Sequence, residues 1–281
     1  MKSFAAISLI AAALVSAAPS ALIPAGISSG CTTFLTSFDN DTSLASCTGP
    51  IISATAQFLN ATATPSSSAI QSALGTLCAV SCNEQTVRTK VSDFYAACTA
   101  ELTSSKNDNV VQLYDTLYTL IPFQQAACAK DDSGDYCVGQ TPGKIAVSSL
   151  YTNVGSGAQA VLSPNSDTFA DNNIAFLLLQ ASTPKAQLCT SCARTVLTSF
   201  VSWESDTPYA PGLTQSKILN GQSALYTSVT STCGATFLSG AVQAAGGLSG
   251  GILSPSSDAS HTLISSVGAV VGALAAAVYM L

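Results

Sequence analysis

Ten cysteines constrain the folding of this chain more than any other feature: Cys31, Cys47, Cys78, Cys82, Cys98, Cys128, Cys137, Cys189, Cys192 and Cys233. An even number in a chain with a secretion signal reads as a disulfide framework, because thiols outside the cytosol oxidise and stay paired. Ten cysteines allow roughly 945 pairings, and their spacing does not choose among them. Free or metal-bound thiolates fit an oxidising compartment poorly. Half of the cysteines fall between Leu77 and Cys137, the stretch with the clearest helical patterns. That stretch is the expected centre of a stapled helical core.

The secretion signal is the opening MKSFAAISLIAAALVSAAP, which has one basic residue, a short apolar run and small residues before the cut. Cleavage after Ala17 fits, with Val15 and Ala17 at the small-residue positions. At the other end, Leu263 to Leu281 reads LISSVGAVVGALAAAVYML, apolar and uncharged. The small, polar stretch GGLSGGILSPSSDASHT precedes it. Small residues, a polar spacer and a terminal apolar tail make up the signal for a glycosylphosphatidylinositol (GPI) anchor. Ser249 and Ser257 both open plausible attachment triplets. The competing reading of the tail is a membrane-spanning helix, for which it is long enough.

Asn40-Asp41-Thr42 and Asn60-Ala61-Thr62 are N-glycosylation sequons, which predicts exposed loops in the N-terminal third. Only 9% of the chain is charged and 47% is apolar, so charge-driven disorder is not expected. Aromatics make up only 7%, which predicts a core of Ala, Val and Leu that buries little area per residue. Disulfides would offset that. The net charge of −6 is unchanged by loss of both ends, which removes Lys2 and Asp258. A mildly acidic surface argues against nucleic acid as a partner, since that requires clustered Lys and Arg.

Helical spacing recurs along the chain. Ser67 to Cys82 is predicted helical. Asn83 caps the next helix, in which Val87, Val91, Phe94 or Tyr95, Cys98 and Leu102 recur at helical spacing. Asp108 or Asn109 caps another, with Val110, Leu113, Tyr114, Leu117 and Ile121 apolar and Pro122 ending or kinking it. Gly49-Pro50 separates a turn from a helix. Asn172 to Gln180 is read as helix from its neighbours. Thr183-Pro184 starts a helix that continues through Leu188, Cys192, Val196, Phe200 and Trp203. Leu213 to Leu238 resumes the pattern. The fold class is therefore all-α, mostly helical and disulfide-stapled, with room for two helical halves. Residues 1–17 are read as leader, 18–30 as a short N-terminal segment and 31–138 as a cysteine-rich helical first half. Residues 139–166 form a Gly/Ser/Pro-rich connection, 167–240 a helical second half, 241–262 a polar stalk and 263–281 a tail that is removed.

Several chemistries are disfavoured. The one histidine, His261, lies in the segment next to the anchor. A mature domain without histidine lacks the base of Ser/His/Asp and Cys/His catalysis and the commonest ligand of catalytic zinc or copper. Cys189-Thr190-Ser191-Cys192 has redox spacing, but a redox motif needs a strand–helix setting. The Asp131 to Asp135 loop lacks the EF-hand spacing. Two carboxylates suffice for a glycosidase, and Glu84, Asp93, Glu101, Asp115, Glu204 and Asp206 are available. These are read as solvated helix faces and caps. No catalytic, cofactor-binding or metal-binding residue is assigned and no cofactor is expected.

CTAELTSSKNDNVVQLYDTLYTLIPFQQAACAKDDSGDYC, the earlier CTTFLTSFDNDTSLASC and the later LCTSCARTVLTSFVSWES together resemble a group of uncharacterised secreted fungal proteins, rich in cysteine and commonly GPI-anchored. The resemblance covers roughly Gly30 to Gly240 and implies a cell-surface protein with no established activity. The expected function is a non-enzymatic, glycosylated surface or cell-wall protein. Its partners would be cell-wall glycans or the outer leaflet of the plasma membrane, reached through a lipid anchor. An extracellular module for a lipid, sterol or other apolar ligand is the alternative, and a carboxylate-based glycan hydrolase is the third reading.

Overall fold

The computed structural model describes residues 23–39, 41–55, 66–140, 151–154, 161–213 and 215–238. The expected leader, Asn40, Asn60, Ser249, Ser257, the expected stalk and the apolar tail lie outside the described residues. The protein is mostly helical. Its helices are α1 (Ser29–Asp39), α2 (Ala45–Thr55), α3 (Ser67–Cys78), α4 (Glu84–Ala97), α5 (Thr99–Leu102), α6 (Asp108–Ala127), α7 (Ser166–Asn172), α8 (Lys185–Leu188), α9 (Ser191–Asp206) and α10 (Gln222–Cys233). Short 3₁₀ turns occur at Cys137–Gln140 and Ile174–Phe176. Among the described residues, the exceptions to the all-α pattern are an isolated bridge between Lys130 and Tyr136 and one antiparallel ladder, β1 (Tyr151–Val154) with β2 (Val161–Pro164), whose register pairs Tyr151 with Pro164 and Val154 with Val161. Among the described residues, no helix is long and apolar enough to cross a membrane.

Helix α6 is the hub. From Tyr114 to Gln124 every residue is buried, and α4, α9, α3 and α5 pack around it. A helix enclosed on all sides cannot be amphipathic, and between Val110 and Cys128 Asp115 is the lone charge. Pro122 does not end this helix. It removes one backbone hydrogen bond, to the carbonyl a turn earlier, but surrounding helices hold the last turn in place. Asn107, rather than Asp108 or Asn109, caps α6, accepting from the Asn109 and Val110 amides. Asn83 caps α4 as the sequence predicts, accepting from the Thr86 amide at 2.9 Å.

Further departures from the sequence expectation have local causes. Pro50 lies inside α2 rather than ahead of a helix; its ring is tolerated only in the first turn or where the lost bond is compensated. The predicted helix over 172–180 is a single 3₁₀ turn between left-handed residues: Asn173 at φ 50°, Leu177 at 50° and Leu178 at 63°. The Asn173 amide donates to the Leu179 carbonyl at 2.8 Å and so closes the reversal. The helix predicted from Thr183 breaks after Leu188 and restarts with Thr190 as cap, its hydroxyl accepting from the Ala193 amide. Among the described residues from Leu213 to Leu238, Gln222 to Cys233 alone is helical.

One apolar cluster extends from Cys31 to Leu238. It is more aromatic than the composition predicts. Tyr114, Tyr118, Phe94, Phe176 and Phe200 are its largest fully buried side chains. A chain of ring contacts runs from Phe34 in α1 to Phe94 in α4 (5.3 Å), Tyr114 in α6 (5.3 Å, edge-on), Tyr118 (6.4 Å) and Trp203 in α9 (6.4 Å). The few aromatics are spent inside, where each buries the most area.

All ten cysteines are paired: Cys31–Cys98, Cys47–Cys82, Cys78–Cys128, Cys137–Cys192 and Cys189–Cys233. The first three join α1 to the end of α4, α2 to the turn before α4, and the end of α3 to the end of α6. Cys137–Cys192 ties the turn after α6 to the start of α9. Cys189–Cys233 ties the α8–α9 turn to the end of α10.

Candidate functional site

Sequence reasoning places the acids on solvated faces. The structure contradicts this for four of them. Asp93, Glu101, Asp115 and Glu204 are buried, whereas Asp206 is exposed and Glu84 partly so. A buried carboxylate must find donors or keep its proton, and Glu101, Asp115 and Glu204 solve this differently.

Glu101 accepts from the Ser28 backbone amide at 2.6 Å, tying down the segment ahead of α1. Burial raises its pKa, but the Ser28 donor outweighs this and the net shift is downward. Asp115 projects from the hub and accepts from the Ser216 hydroxyl at 2.7 Å and the Ile218 amide at 3.3 Å. Burial wins here, and its pKa rises to about 6. Glu204 accepts from the Gln222 side-chain amide at 2.7 Å. Burial drives its pKa to about 8, with that donor opposing.

Asp115 and Glu204 belong to one polar seam between α6, α9 and the connection from Thr207 to Gly221. Tyr114 donates to the Tyr209 carbonyl at 2.7 Å. Tyr118 lies 3.5 Å from the Thr207 carbonyl, and both Glu204 and Asp115 raise its pKa further above the level set by burial. Tyr209, at φ 58°, stacks on Tyr95 at 4.2 Å. Arg88 lies over the Trp203 ring at 4.8 Å, pairs with Glu84 at 2.9 Å and donates to the Thr207 hydroxyl. The seam thus has acids and aromatics, but no opening. Asp115 is 1% exposed and Glu204 5%, too little for a sugar to reach either.

Two surface depressions are better formed. One of about 160 Å³ lies between Leu177, Leu179, Ala186 and Val196 beside the Cys137–Cys192 disulfide. The other, about 240 Å³, lies between Val80, Glu84, Ile121 and Gln124 beside Cys78–Cys128. Both fall below the roughly 300–1,000 Å³ of ligand pockets. Neither is lined by Asp115 or Glu204.

Cys189 and Cys192 bond to different partners, which separates them as a redox pair. Cys31, Cys98 and Glu101 approach one another closely enough to suggest a metal site, but the two sulfurs are spent on a disulfide. In the acidic loop, Asp131 turns inward: it accepts from the Ser133 and Asp135 amides, both at 2.9 Å, and from Gln140. That leaves it closing a turn rather than facing a cation.

Sequence reasoning missed the seam, though two signals mark it. Asp115 is the lone charge in a long apolar helical run, and Glu204 continues the four-residue spacing of Val196 and Phe200. Ser216 and Gln222, which answer the two acids, carry no signal of their own.

Residues 20–152 match a domain of unknown function, DUF7729. No curated protein and no solved structure matches this chain.

Proposed function

We propose that this is a non-enzymatic, GPI-anchored and glycosylated protein of a fungal cell surface or wall, in which a stapled helical domain serves as a durable outward-facing module. The observation that carries the reading is the pairing of all ten cysteines. Five structural disulfides require an oxidising compartment to form and persist. The leader and anchor patterns, the sequons at Asn40 and Asn60, and the resemblance to secreted fungal proteins support the same reading. The enclosed seam and small depressions give less support to an apolar-ligand carrier or a glycan hydrolase. A sterol or lipid needs a larger cavity, and a hydrolase needs its two acids at an open cleft.

The test is enzymatic release. Intact cells expressing the chain are treated with a phosphatidylinositol-specific phospholipase, and the medium is probed before and after N-glycan removal. Release, with a mobility change on deglycosylation, is expected. Retention in the membrane after treatment would replace the anchor with a spanning helix. Recovery of free thiols from the native protein would remove the compartment on which the reading rests.

A further inference from the structure

The Glu204–Gln222 contact leaves an imbalance. Gln222 gives its amide hydrogen to one Glu204 oxygen at 2.7 Å. The other Glu204 oxygen, Oε1, and the Gln222 carbonyl oxygen, Oε1, are both buried with no donor. Glu204 is 5% exposed and Gln222 2%. Two lone acceptors on side chains already joined by one hydrogen bond are one proton short. A proton on Glu204 supplies it, because a protonated carboxyl has one O–H to donate and the Gln222 carbonyl oxygen can accept it. A carboxylate supplies no donor, and burying its charge without a cation is costly.

The groups around Glu204 do not offer that cation. From α6, Tyr118 feels the charge of both Glu204 and Asp115, and neither Tyr118 nor Asp115 is a cation. Arg88, from α4, is engaged by Glu84, the Trp203 face and Thr207. From α10, Gln222 donates to it and carries no charge. Burial of Glu204 is the main cause of its raised proton affinity.

We propose that Glu204 and Gln222 form a proton-dependent latch that holds the start of α10 against α9, closed while Glu204 carries its proton and released when it ionises. The placement suits a hinge. Gln222 is the first residue of α10 and Cys233 the last. The Cys189–Cys233 disulfide keeps the far end attached, so ionisation frees one end of α10 without losing the helix. The domain is therefore tightest in acid and loosens in alkaline surroundings.

The chain has three glutamates, Glu84, Glu101 and Glu204, which makes the test direct. The intact domain is labelled with ¹³Cδ-glutamate and titrated by NMR from pH 3 to 10, while urea unfolding is followed at pH 5 and 9. One glutamate should titrate above pH 7. Its resonance should be lost in Glu204→Gln and kept in Glu84→Gln, which assigns the midpoint. The unfolding equilibrium constant should rise up to about 1,000-fold from pH 5 to 9, and Glu204→Gln should lose most of that rise. The absence of any glutamate midpoint above pH 7 in the folded protein would overturn the latch, and so would an unchanged pH response in Glu204→Gln. If that variant does not fold, the wild-type titration alone decides. Faster amide exchange confined to the first turn of α10 at pH 9, after correction for intrinsic rates, is the expected sign of release; uniform protection of α10 across that range would also overturn it.

Discussion

At the scale of single residues, the tightest constraint is between Gly221 and Asn173. A Cβ on Gly221 would lie 1.7 Å from the Asn173 side-chain oxygen. Asn173 cannot easily yield, because its left-handed backbone and its bond to the Leu179 carbonyl hold it in place. Gly221→Ala should destabilise the domain by about 2–3 kcal/mol, through overpacking and a displaced buried amide. Urea unfolding measures this, and a change under 0.5 kcal/mol would mean that Asn173 moves freely. Asn107 is the opposite case, an exposed-end device with a local effect. Asn107→Ala removes the acceptor for two α6 amides and should cost about 1 kcal/mol, read as a lowered midpoint with an unchanged m-value.

At the scale of elements, α6 and α9 form the principal contact, and a disulfide repeats the connection covalently. Cys137–Cys192 closes a loop across a sequence separation of 55. Chain-entropy reasoning gives such a bridge about 4 kcal/mol. The double variant Cys137→Ala/Cys192→Ala should lose most of this in thermal and urea denaturation, because the α6–α9 contact would then depend on packing alone. The connection from Thr207 to Gly221 is held otherwise, by Asp115 through Ser216 and Ile218 and by Tyr114 through the Tyr209 carbonyl. Asp115→Ala should cost about 2–3 kcal/mol and raise proteolytic cleavage in that connection. Asp115→Asn keeps an acceptor for Ser216 and should be milder; equal loss in both would assign the effect to charge rather than to the hydrogen bond.

At the scale of the molecule, the buried acids determine how stability follows pH. Glu204 and Asp115 hold their protons more tightly folded than unfolded, so their contribution is complete in acid. It declines as pH rises through about 6 for Asp115 and about 8 for Glu204. Asp41 and Glu101 act oppositely. Burial raises both, but the Ser43 and Lys90 donors on Asp41 and the Ser28 donor on Glu101 outweigh it. Their contribution is lost as pH falls below the ordinary carboxylate range. Stability should therefore be greatest near pH 4–5 and fall by a few kcal/mol toward pH 9. Urea midpoints across that range check the curve; a maximum at pH 7 or above would show that the seam admits water enough to ionise both acids.

The sequence by itself determined the parts set by local chemistry and by composition. An even number of cysteines announced disulfides, apolar spacing announced helices, and Asn83 announced a cap. Each is set by residue type or by neighbours within a turn. What depends on distant contacts was decided by the tertiary structure. Pro122 could stay inside a helix only because other helices enclose it. The run over 172–180 turned left-handed because Asn173 reaches Leu179 across the reversal. The pairing of the cysteines, open to hundreds of arrangements by spacing, followed from which helix ends the packing brought together. The acids show the divide most clearly. In sequence Asp115 and Glu204 are ordinary helix carboxylates. Burial and donors more than ten residues away in the chain make one an anchor for the Thr207–Gly221 connection and the other a keeper of its proton, because the cost of a charge is set by its surroundings and not by its neighbours in sequence.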